Sequence, residues 1–229
     1  FSQWPMNHEV GVSNALFIAP ALFFAVLKMK QGKMFFGFLY AFAFWHGILT
    51  THVQYVIYSV LASLLFVIFL LFLDEEKNAL FFQNWKQNSR VVVFSAAAFV
   101  LAIAASLYQI ITTLVYISIS SERAAIPHWQ AAEGGILRGD VLKALFPYFD
   151  VWFIPSSFDT FYVGVVPLIF LFFTFFWMRK NAYLRFFWFL FAGSLLFSLN
   201  DSWLFWGLHH IFPFNLFHFP FRGMFVGWF

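Results

Sequence analysis

The chain has 229 residues, 62% of them hydrophobic and only 10% charged, with a formal net charge of +3. A soluble domain carries about 25% charged residues, so this chain lacks the ionic surface that water requires. A small positive excess scattered between apolar runs is no nucleic-acid patch. With no Cys, disulfide scaffolds, thiolate metal sites and Cys nucleophiles are excluded. The composition specifies an all-α integral membrane protein, a polytopic helical bundle, because open strand edges cannot face lipid and no barrel alternation is present.

A spanning helix needs roughly 17–25 mostly apolar residues. Six stretches qualify, at 10–27, 34–51, 53–73, 91–118, 160–177 and 182–199. The second and third meet at Thr51-His52-Val53-Gln54 and form a tight helical hairpin. The fourth is long enough to tilt or to project beyond the bilayer. The chain starts at Phe1, and 223–229 reads as the start of a seventh span, so residues 1–229 are expected to be one transmembrane domain from a longer protein.

Charge sorts the connections. Lys28, Lys30 and Lys33 follow the first span, Lys77, Lys86 and Arg90 precede the fourth, and Arg179, Lys180 and Arg185 separate the fifth and sixth. These nine of 13 basic residues share one side of an alternating topology. By the positive-inside rule that side is cytoplasmic, and the N-terminal end of the chain is external. The same residues are expected to touch anionic lipid. All seven His then lie at or near the external side, with an external loop at 121–159 and an aromatic, His-containing segment at 201–222. Chemistry, if present, is expected there.

Within the fourth span Gln109, Thr113 and Tyr116 share a helix face. Gln109 is expected to line a site with Arg123, whereas Thr112 and Thr113 read as interhelical hydrogen-bonders. His46 and Thr50 share a face near the hairpin tip, where His52 and Gln54 sit. No metal-ligand spacing is present, and His209-His210 diverge by about 100° on a helix, a poor chelate. In the 121–159 loop, residues 141–146 suggest a short interfacial helix stopped by Pro147. Asp150 and Asp159 are either acid/base or metal carboxylate candidates or solvated loop residues. Arg222, at the mouth of the last span, suits either a headgroup anchor or a phosphate site.

The order of these features resembles the YfhO-like bacterial membrane proteins, within the polytopic glycosyltransferases of GT-C type. Asn7-His8 before a span with Pro20 is similar to the family's segment after its first external loop. Thr51-His52-Val53-Gln54 resembles its Gly-His-Pro-Gln hairpin, with Gly and Pro replaced. Gln109 followed by Ser121-Glu122-Arg123 is similar to a Gln-containing helix with a Ser-x-Arg exit. Phe146-Pro147 and Tyr162-Val163-Gly164-Val165-Val166-Pro167-Leu168 resemble its Pro-containing loop and the Tyr-x-Gly-x-x-Pro-Leu start of a span. Phe217-His218-Phe219-Pro220-Phe221-Arg222 resembles a Phe-Arg-x-Pro-x-Arg ending, with His218 in place of the first Arg.

The resemblance implies a GT-C-like fold in the cytoplasmic membrane of a bacterium. It also implies transfer of a sugar from a polyprenyl-phosphate donor to an extracytoplasmic acceptor. Arg123 and Arg222 would contact the phosphate, His52 and Gln54 would line the donor pocket, and Gln109 would support it. Asp159 would stand on the acceptor side, and the catalytic Asp of the family would precede residue 1. No cofactor is expected, and no ligand spacing supports a divalent metal. The expected partners are the bilayer and the lipid-linked sugar, not nucleic acid. A non-catalytic scaffold or accessory subunit with membrane protein partners, and a lipid or solute transporter, are the alternatives.

Overall fold

The computed structural model describes residues 4–50, 53–74, 79–80, 85–119, 165–199 and 202–211. They belong to two compact units, one running to Arg123 and the other from Ala124 to Trp228. The first unit contains α1 (Trp4–Lys30), α2 (Phe36–Thr50), α3 (Val53–Phe72), β1 (Leu73–Asp74), β2 (Ala79–Leu80), α4 (Trp85–Ala105) and α5 (Leu107–Ile119). The second contains α6 (Val165–Trp177), a 3-10 turn (Met178–Lys180), α7 (Ala182–Ser198) and α8 (Trp203–His209).

α1 to α4 form an antiparallel bundle with α1 against α2 and α3, and α4 against α2 and α3. α1 stops at Gly32, whose φ of +84° suits a residue without Cβ. Gly32 N–H donates to Met29 O at 2.9 Å and Lys33 N–H to Lys28 O at 3.0 Å, the paired bonds of a Schellman stop. The chain reverses there into α2. At the far end of the hairpin a Cβ on Gly47 would lie 2.8 Å from Ile18 Cδ1 and 3.3 Å from Val56 Cγ2, so three helices converge where only a hydrogen fits.

The core behind these contacts is Leu22, Val26, Met29, Tyr40, Val56, Phe66 and Leu70, all fully buried. Polar groups inside it are tied to neighbours. Tyr40 Oη and Ser63 Oγ are 2.7 Å apart, and Ser63 Oγ donates to Val60 O at 2.8 Å. A serine hydroxyl has one hydrogen, so Tyr40 donates and Ser63 accepts. Asn88 Nδ2 donates to Leu70 O at 2.7 Å, locking the start of α4 to the end of α3.

Two helices among the described residues, over Tyr55–Phe72 and Asn88–Ala105, are long and apolar enough to cross a membrane by length and composition. Their surroundings differ in kind. Most of the α3 stretch is buried, whereas α4 buries a stripe of Val91, Ser95, Ala98 and Ala102 and exposes Val93, Phe94, Val100 and Leu101. On α4, large Val, Phe and Leu side chains therefore stand outward beside a buried stripe of mainly small residues.

One expectation is corrected. The predicted fourth span is not one helix: it is interrupted at Ser106, whose N–H is shared between Ala102 O at 3.1 Å and Ile103 O at 3.0 Å. Such three-centre bonds are common at helix termini, and α5 begins immediately afterwards. Neither Gly nor Pro marks the break. The described residues are overwhelmingly helical, and the connection between α3 and α4 adds only a two-residue antiparallel ladder in which Leu73 pairs with Leu80 and Asp74 with Ala79. The ladder gives the connection backbone partners that a bare loop would lack.

The second unit is a helical hairpin with a short appendage. Asn181 starts α7, its side chain accepting from Tyr183 N–H at 2.9 Å and Leu184 N–H at 3.3 Å, so the predicted start at residue 182 has a chemical cause. α7 buries Ala182, Phe186, Leu190, Ser194, Phe197 and Ser198. Trp188 Nε1–H donates to Thr174 Oγ1 at 3.3 Å and ties α7 to α6. α8 is a turn-length addition inside the predicted 201–222 segment, capped by Ser202 Oγ, which accepts from Phe205 N–H at 3.2 Å.

Candidate functional site

The antiparallel bundle separates the described basic residues from several uncharged site candidates along its length. Met29 lies by Gly37, which also faces Phe94, and Leu70 lies by Asn88. These contacts put the end of α1, the start of α2, the end of α3 and the start of α4 together. Lys28, Lys30, Lys33 and Arg90 share that end. The opposite end holds the close of α2 with His46 and Thr50, the start of α3 with Gln54, and the passage from α4 into α5 with Gln109.

Of the six predicted site residues, the described residues include Gln54 and Gln109. Gln54 is the second residue of α3, and Gln109 is half-buried in the first turn of α5. His52, Arg123, Asp159 and Arg222 lie outside the described residues, as do Asp150, the 121–159 loop and the chain beyond 211. Thr113 is half-buried on the side of α5 that carries Gln109, one turn on. Thr112 departs from the interhelical role expected of it. Its hydroxyl donates to Tyr108 O at 2.8 Å, within its own helix, a local bond that competes with reaching a neighbour.

Three of the described histidines, His46, His209 and His210, lie against aromatic rings. His46 is exposed and stacks on Phe42 at 5.9 Å with 9° between planes, and Thr50 Oγ1 donates to His46 O at 2.8 Å. His209 is buried beside Phe205, with ring centroids 5.4 Å apart. His210 is exposed, lies 4.8 Å from the Trp206 ring and places Nδ1 2.8 Å from Trp206 O. One is inside and the other outside, as adjacent positions on a helical turn require. Among the described residues no group of three or more His, Asp or Glu gathers as a metal site.

Sequence reasoning missed the polar residues of the bundle interior. Ser59, Ser63 and Ser95 are buried with Asn88 and Tyr40, and the hydroxyls of Ser59, Ser95 and Ser106 have no hydrogen-bond partner. Ser95 is seven residues beyond Asn88, and Ser63 seven before Leu70, so antiparallel register puts both serines at one level. The signal was available: Ser59 and Ser63 stand four apart in a predominantly apolar helix, the spacing of one face. Comparison with known proteins finds no matching family model, and no curated protein or solved structure similar to the chain.

Proposed function

We propose that the chain belongs to the membrane domain of a YfhO-like glycosyltransferase of GT-C type, with about six transmembrane helices and the start of a seventh. It moves a sugar from a polyprenyl-phosphate donor to an acceptor outside the bacterial cytoplasmic membrane. The observation that carries this reading is the segregation along the first bundle. Lysines and Arg90 occupy one end, while His46, Gln54 and Gln109 occupy the other. A polarised bundle with Val93, Phe94, Val100 and Leu101 outward is what positive-inside insertion produces, and it leaves the uncharged hydrogen-bonding groups on the external side.

The chemistry follows from the donor. Displacing a polyprenyl phosphate from an anomeric carbon needs a base for the acceptor hydroxyl and fixed positive donors for the departing phosphate. Arg123 and Arg222 supply the donors, each offering a permanent charge and a planar fork. His52 and Gln54 line the sugar-phosphate pocket, Gln109 supports it from α5, and Asp159 stands on the acceptor side. The test is transfer of labelled sugar from a polyprenyl-phosphate donor by the full-length protein. Arg123→Ala and Arg222→Ala are each expected to slow transfer by about 10²–10³-fold with folded protein retained. Full transfer by both variants would overturn the assignment.

A further inference from the structure

The end of the first bundle that carries the lysines is more than a charged rim. Lys28 Nζ sits 5.2 Å from the centroid of the Phe24 ring and donates to Gln31 Oε1 at 3.3 Å. An ammonium group has three donors, so two remain for a ligand. Lys33 is exposed across the same reverse turn, held to Lys28 through its backbone bond.

Below the two lysines runs a connected aromatic surface. Phe24 meets Phe36 edge-on at 5.5 Å, Phe36 meets Phe35 at 6.5 Å, and Phe35 meets Phe38 at 5.7 Å. Phe35 and Phe38 are 76% and 64% exposed, values that would be costly in water for rings so close together. Arg90, on α4, adds a further exposed cation at this end, and Lys30 a half-buried one. The acidic residue described at this end, Asp74, belongs to the short ladder after α3.

Cations above a contiguous aromatic face match one partner: a molecule with an anionic head and a hydrocarbon body. We propose that the α1–α2 turn binds the headgroup of an anionic phospholipid, Lys28 and Lys33 holding its phosphate and Phe24, Phe35 and Phe38 lying along its glycerol and upper acyl chain. Charge complementarity selects the head, and the exposed rings select a lipid over a soluble anion. The inference rests on the membrane reading above but not on the glycosyl transfer.

The test uses full-length protein in a neutral detergent, with native mass spectrometry counting bound phosphatidylglycerol against phosphatidylcholine. A basic residue near an anionic surface contributes about fivefold in binding. The parent is therefore expected to prefer phosphatidylglycerol at least about fivefold, and the K28Q/K33Q variant to lose that preference. K28R/K33R should retain it, which separates charge from fold. Equal binding of the two lipids by the parent, or an undiminished preference in K28Q/K33Q, would overturn the site. Displacement of the lipid by millimolar inorganic phosphate would overturn the lipid assignment in favour of a free anion. K28Q/K33Q should also transfer sugar at the parent rate, so a failure of this site and a failure of the enzyme reading are told apart. A parent that stays monodisperse without detergent would overturn the membrane reading beneath both.

Discussion

α3 and α6 are both strongly apolar helices, yet they end in opposite situations. α3 buries Val56, Ser59, Val60, Ala62, Ser63, Phe66, Val67 and Leu70. α6 leaves Ile169, Phe170, Phe172, Phe173, Phe175 and Phe176 exposed. Hydrophobicity does not separate the two; side-chain size does. α3 carries Ser59, Ala62 and Ser63 among its buried residues, and Gly47 of α2 comes up against its Val56. α6 has no Gly, Ala or Ser. Where the surrounding medium is as apolar as the side chains, close approach of backbones drives association. A helix of large rings then has little to gain from a neighbour.

That contrast can be broken experimentally, and the largest effect should come from its most buried ring. Phe66→Ala removes a fully buried side chain in edge contact with Phe23 at 5.2 Å. It is expected to cost about 3–5 kcal/mol, read by unfolding in mild detergent. Phe173→Ala, at a ring that is 56% exposed, should stay within about 0.5 kcal/mol. Equal losses would mean that α6 is as tightly held as α3.

A smaller effect tests the role of small residues directly. Gly47→Leu forces atoms into a space already bounded by Ile18 and Val56 and should cost about 1–3 kcal/mol. Gly193→Ala, in α7 with nothing within 4 Å of the added Cβ, should raise stability by about 1 kcal/mol through helix propensity. The opposite signs are the point, and thermal midpoints of the two variants read them.

The smallest pair distinguishes serines that differ only in partners. Ser63→Ala deprives the buried Tyr40 hydroxyl of its acceptor and should cost about 1–2 kcal/mol. Ser59→Ala deletes a buried hydroxyl that bonds nothing, so it should be neutral within about 0.5 kcal/mol or stabilising. If both lose stability alike, the Ser59 hydroxyl contributes as much as that of Ser63.

The helix limits were largely legible. The stretch 53–73 became Val53–Phe72, and 182–199 became Ala182–Ser198. Run length and polar punctuation mark such ends, and Asn181 is a cap that the pattern announces. The break at Ser106 was not legible, because Ala105-Ser106-Leu107 contains no residue that forces a turn. Nor was the buried face of α2. A helix apolar around its whole circumference gives no direction, and only Gly37 and Gly47 hint at which side a neighbour approaches. Of the candidate site, the side preference of Gln109 and Thr113 was readable from spacing. That Thr112 would spend its hydroxyl on Tyr108 was not, since the same residue suits either bond.

The interruption at Ser106 also has a mechanical meaning. α5 is 13 residues, a rod of about 20 Å at the usual helical rise. It joins the bundle through a single irregular turn, so a rotation of only about 10° at Ser106 would carry its far tip roughly 3 Å. Gln109, close to the pivot, would scarcely move, while Ile119 at the far end of α5 would travel the whole of that arc. A tilt at Ser106 would thus act on a short arm at Gln109 and a long one at Ile119.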